Sequence, residues 1–167
     1  MITKSTISSN LKSLDAKYRR TTSDMESLFF SKLALLELCG WIEESMDDVI
    51  LRCANRYLRV AANRKHAKEN IIRPTYGFEY QRHFRRMLIQ LIGLINVERI
   101  ESKVDPAKKA ILQSTLGNLK ESRNRVAHTH IKGIARVIDS PSITLNRFDH
   151  VYGGLMEFDA VIRNMRL

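Results

Sequence analysis

Arg123-Asn124-Arg125-Val126-Ala127-His128 sets an arginine, an amide and a histidine within six residues near the end of an apolar rhythm. An imidazole titrates near pH 6.5, about where a general acid or base must exchange a proton in water. A guanidinium stays charged at neutral pH and offers a planar fork of donors to anionic oxygens. Arg123 and His128 therefore suit chemistry that moves a proton while negative charge builds on a neighbouring centre. The same residue types also serve as plain caps and dipole partners at a helix end, and spacing alone leaves both readings open.

The element that must position them is a helix. Leu112, Leu116, Leu119, Val126 and Ala127 recur at three- and four-residue steps, and Asp105-Pro106 opens the segment as N-cap and first helical residue. Arg123 falls inside the apolar stripe, so it must meet a carboxylate, a carbonyl or an anion, or reach the stripe's edge. His128 lies about 140° round an ideal helix from Arg123 and roughly 7.5 Å further along. The two converge only if the arginine bends, the helix changes course, or they meet across a two-fold axis. Asn124 shares the side of His128, and His130 returns to the side of Arg123 as the rival histidine.

Upstream, the pattern predicts a helix over residues 4–20, then a long one from Asp24 to Tyr57 or Val60, with Gly40 its weakest point. Glu37, Glu44 and Asp48 share a face of that helix that can answer Arg123, with Glu44 the chosen partner; Glu43 and Asp47 form the adjacent row. Trp41 reads as a core or interface filler. Residues 61–72 form a helical extension or arm, residues 78–101 a third helix, and residues 131–146 a long loop behind the motif. A final helix runs from about Leu145 to Met165. The expected fold is all-α: an antiparallel bundle of four to five helices in one domain of 167 residues.

The net charge of +10 is uneven. Residues 24–51 carry one basic and seven acidic side chains, whereas residues 52–86 carry ten basic and two acidic. A polyanion is the partner such a field attracts. Arg52, Arg56, Arg59, Arg64, Lys65, Arg82, Arg85, Arg86, Arg125 and His130 are the candidate contacts, and Tyr57, Tyr76 and Tyr80 lie among them as possible stacking partners for bases. Cys39 and Cys53, about 21 Å apart along one helix, are too distant for a disulfide and read as buried thiols in a reducing, cytoplasmic setting. No ligand spacing calls for a metal, no apolar run is long enough for a membrane span, and no glycine loop of the nucleotide-binding kind occurs.

The motif Arg123-Asn124-Arg125-Val126-Ala127-His128 resembles the R-x4-H signature of the HEPN superfamily, small all-helical domains of bacterial toxins, anti-phage systems and RNA-processing enzymes. The polar residue after the arginine, Asn124, is typical. Leu33-Ala34-Leu35-Leu36-Glu37-Leu38-Cys39-Gly40-Trp41-Ile42-Glu43-Glu44 is similar to the aromatic-then-acidic part of the second helix in its defence-associated branches. The resemblance implies metal-independent RNA cleavage without a cofactor, at a site composed from two copies in a homodimer. His128 would be general acid or base, Arg123 the phosphate clamp, Asn124 an orienting group and Glu44 the nearby acid. It also implies, as alternatives, a non-catalytic RNA- or nucleotide-binding or dimerisation module, or a toxin neutralised by an antitoxin or another defence-system protein.

Overall fold

A computed structural model describes residues 2–127 and 138–165. Seven α-helices occur among the described residues: α1 (Ser5–Arg20), α2 (Asp24–Tyr57), α3 (Ala61–His66), α4 (Arg85–Ile92), α5 (Leu94–Glu101), α6 (Pro106–Ala127) and α7 (Pro141–Asn164). Two wider, π-helical turns adjoin them: Ala67–Ile72 continues α3, and Tyr80–Phe84 leads into α4.

The core lies where α1, α2, α6 and α7 pack on one another. Ile7, Leu11 and Leu14 face Leu38, Ile42, Met46 and Ile50 of α2, with Leu112, Leu116 and Leu119 of α6 and Phe148, Leu155 and Phe158 of α7 completing the same apolar cluster. The three- and four-residue periodicity accounts for each of these faces. Trp41 closes one end, its ring edge against Phe148 at 5.0 Å between centroids and its Nε1–H donated to the Thr3 carbonyl at 3.0 Å. Between α6 and α7, Gly154 lets the helices approach so closely that a Cβ there would come within 2.7 Å of Leu112 Cβ.

α2 runs unbroken through Gly40, because the buried residues on either side hold that turn in the core. Ser23 caps its start, its hydroxyl accepting the Glu26 N–H at 3.4 Å. The expected third helix over residues 78–101 is instead a π-helical turn and two short helices. Gly93 adopts φ 79°, a left-handed conformation that ends α4 and redirects the chain. After that redirection Val97 and Ile100 enter the core, and Ile95, on the straight-helix pattern an inward residue, is exposed. The last helix starts earlier than Leu145, at Pro141, since proline suits the first helical position. Among the described residues the expected four to five helices are thus seven, a four-helix core with the shorter helices beside it.

Candidate functional site

α6 is secured at its start by Asp105, whose Oδ1 accepts the Lys108 N–H at 2.8 Å, and along its length by Leu112, Leu116, Leu119 and Val126, all buried. The spacing of these anchors brings Lys120 and Arg123 to the acidic part of the molecule. Lys120 Nζ lies 2.9 Å from Glu79 Oε1, and Arg123 Nη2 lies 3.8 Å from Glu43 Oε1. Arg123 is thus at the stripe's edge, its side chain 39% exposed, and its Nη1 donates to Asn124 Oδ1 at 3.4 Å. A guanidinium restrained on one side and open on the other can receive an anion.

The acid opposite Arg123 is Glu43. Glu44, expected there, is exposed and borders a hollow with Thr6, Asn10 and Trp41 on the α1 side of α2. The turn of α2 that buries Ile42 and Met46 sends Glu43 toward Arg123 of α6 and Glu44 to the α1 side. One helical turn beyond Glu43, the half-buried Asp47 has its carboxyl pushed up to about 6 by burial and by the negative charges of Glu43, Asp48 and Glu44. Asp47 was not among the sequence candidates, and its place four residues after Glu43 on the same row is the signal that could have found it.

His83 belongs to the same neighbourhood. Its Nδ1 accepts the Glu79 N–H at 2.9 Å, which fixes the ring and leaves the neutral imidazole's proton on Nε2. Burial lowers its pKa, overriding the opposite pull of Glu79 and Glu43. The Lys120 hydrogen bond holds Glu79 below the usual carboxylate range. Lys120, Arg123, Glu43, Glu79, Asp47 and His83 thus form a chain of charged and titrating groups, gathered from α6, α2 and the segment leading into α4. No sequence spacing relates His83 to Glu43 and Lys120; only the fold brings them near.

The motif histidine His128, the rival His130 and the rest of the expected loop up to residue 137 lie outside the described residues. Among the described residues, no three His, Cys, Asp or Glu side chains group in a way that could hold a metal ion, and no helix is long and apolar enough to cross a membrane. Burial pushes both thiols, Cys39 and Cys53, up to about 12, so neither is a nucleophile at neutral pH.

The basic candidates divide into two groups. Arg52 turns inward to Asp159, 3.3 Å away and 2% exposed, so it is a structural ion pair and not part of a charged row with Arg56 and Arg59. Arg85 is likewise committed, Nε to Glu101 Oε1 at 3.1 Å, where Tyr80 O–H and Lys109 also converge. Arg64 is half-buried and donates to the Leu58 carbonyl at 3.3 Å. Arg56, Arg59, Lys65, Arg82, Arg86 and Arg125 are exposed. Of the tyrosines, Tyr80 is buried and Tyr57 donates its hydroxyl to the Ile162 and Met165 carbonyls at 2.8 and 2.6 Å. Neither is free to stack, which leaves Tyr76, 82% exposed. Comparisons with protein-family models, curated proteins and solved structures return no match.

Proposed function

We propose that the protein is a metal-independent endoribonuclease of the HEPN kind, acting as a homodimer in a bacterial defence or toxin system. The observation that carries this reading is Arg123 in the closing turns of α6, half open to solvent and steered by Asn124 and Glu43, five residues before His128. RNA supplies its own nucleophile. His128 takes the proton from the 2′-hydroxyl or returns one to the departing 5′-oxygen, while Arg123 compensates the charge that develops on the non-bridging phosphate oxygens. The P–O5′ bond breaks as the 2′-oxygen bonds to phosphorus, giving a 2′,3′-cyclic phosphate and a 5′-hydroxyl. Two copies meeting at the motif resolve the angular separation of Arg123 and His128 on one helix, each lending its pair to a shared cleft.

The test is cleavage of structured and unstructured RNAs in chelator, with end-group analysis of the products. R123A and H128A should each lose about a hundredfold or more of the rate. Cutting by both variants at the parent rate would overturn the assignment. A second reading, a non-catalytic RNA- or nucleotide-binding or dimerisation module, is favoured by the Glu43 carboxylate, which already offsets part of the Arg123 charge. It predicts altered affinity or assembly in the same variants with no products from any of them. A neutralising antitoxin or other defence-system protein is the partner expected under either reading.

A further inference from the structure

The segment joining α3 to α4 folds over a cleft of about 550 Å³ whose lining includes Asn70, Tyr76, Arg82, His83, Arg86 and Gln90. That is the size range of small-ligand sites. We propose that this cleft binds a phosphorylated nucleoside, its base lying on the Tyr76 ring and its phosphate between Arg82 and Arg86. The site goes beyond the cleavage reaction and stands without it.

Three observations converge. Tyr76 is 82% exposed, yet the turn that carries it is fixed. Thr75 Oγ1 donates to the Ile71 carbonyl at 2.7 Å, and the Thr75 N–H donates to the Ile72 carbonyl at 2.9 Å. Gly77, at φ 115°, rests so tightly on His83 that a Cβ there would come within 2.7 Å of the ring. The fixed backbone turn thus presents the Tyr76 ring to water instead of burying it in the protein, and an exposed flat ring beside two guanidiniums is what a base can stack on.

The charges are also uncommitted. Arg82 and Arg86 are one helical turn apart and share the cleft. Arg82 has only Glu79 at 3.9 Å, and that carboxylate is already engaged by Lys120 at 2.9 Å. Arg86 makes no ion pair among the described residues, and its neighbour Arg85 is neutralised by Glu101. Two guanidiniums with unspent donors suit a phosphate. Asn70, Gln90 and the neutral His83 add donors and acceptors without negative charge, as recognition of a base or sugar requires.

The probes are the four nucleoside monophosphates, inorganic phosphate and the unphosphorylated nucleosides, titrated calorimetrically at fixed ionic strength. At least one monophosphate should bind saturably and more tightly than either phosphate or its nucleoside. Y76A should weaken it by about fivefold or more, as loss of a stacking partner does, and R82A/R86A should weaken it further. K12A/K17A, which removes two exposed charges of α1 outside the cleft, should change it by less than about twofold. All these positions are exposed, and unchanged circular dichroism checks that the variants fold. Absence of saturable binding at millimolar concentration, an equal loss in K12A/K17A, or indifference to Y76A would each overturn the proposal. Displacement by a 2′-O-methyl oligonucleotide would identify the occupant as part of an RNA strand; retention would identify a free nucleotide.

Discussion

Asp47 gives a quantitative hold on the acidic side of the candidate site. Its carboxyl moves from an ordinary 3.8 to about 6 through burial and three neighbouring carboxylates, which corresponds to about 3 kcal/mol of preference for the protonated form. Since the group is half-buried, screening by water reduces this to about 1–1.5 kcal/mol. The folded state holds this proton more tightly than the unfolded chain does, so the parent protein loses stability as pH rises from about 4 to about 6 and has lost all of that increment above it. D47N keeps the shape, removes the charge and escapes the loss. In urea unfolding followed by circular dichroism, the two proteins should be nearly matched at pH 4. At pH 7.5 D47N should be more stable by about 1–1.5 kcal/mol, a rise of roughly 2–6 °C in Tm. Equal stability at pH 7.5, or an offset that ignores pH, would refute the reasoning. A carboxylate kept at such a cost one turn from the acid that pairs with Arg123 is the kind of group that functional sites retain.

Two neighbouring glycines of α7 should respond in opposite directions. G153A meets open space and should gain about 0.5–1 kcal/mol from helix propensity, whereas G154A drives a methyl into Leu112 and should lose about 1–3 kcal/mol, both read from urea midpoints. R52A should destabilise by about 3 kcal/mol, because Asp159 would stay buried without its main partner, whereas R56A, on an exposed side chain, should leave stability within about 0.5 kcal/mol. If R52A proved as harmless as R56A, the division between structural and available arginines would be wrong.

The helices were legible wherever a periodic apolar face decided the packing: Ile7, Leu11 and Leu14 of α1, the inward row of α2, and Phe148, Val151, Leu155 and Phe158 of α7 are buried as their spacing requires. The stretch from 78 to 101 was not, because a glycine tolerated inside a helix and one that ends it look alike in sequence; φ at Gly93 decides between them. Choosing Glu44 over Glu43 failed for a related reason. The two are adjacent, and about 100° of helical rotation separates them, so a small error in which face meets α6 exchanges one for the other. Charge counts likewise treat all arginines as equivalent. Arg52 and Arg85 differ from Arg56 and Arg86 through the acids they meet, Asp159 and Glu101, which lie 107 and 16 residues further along the chain. His83 entered the site through the fold of the segment before α4, which no local pattern encodes.

The ion pairs that α6 makes through Lys120 and Arg123 have a consequence for how a polyanion would arrive. Both cations already rest on carboxylates, Glu79 and Glu43, so an incoming phosphate does not meet bare charge but must trade places with an acid. Such an exchange lowers affinity for any passing anion and favours one that offers several phosphates at the right separation. The resting protein would in this sense be its own weak competitor, and any selectivity for an extended anion would begin with the two acids that anion has to displace.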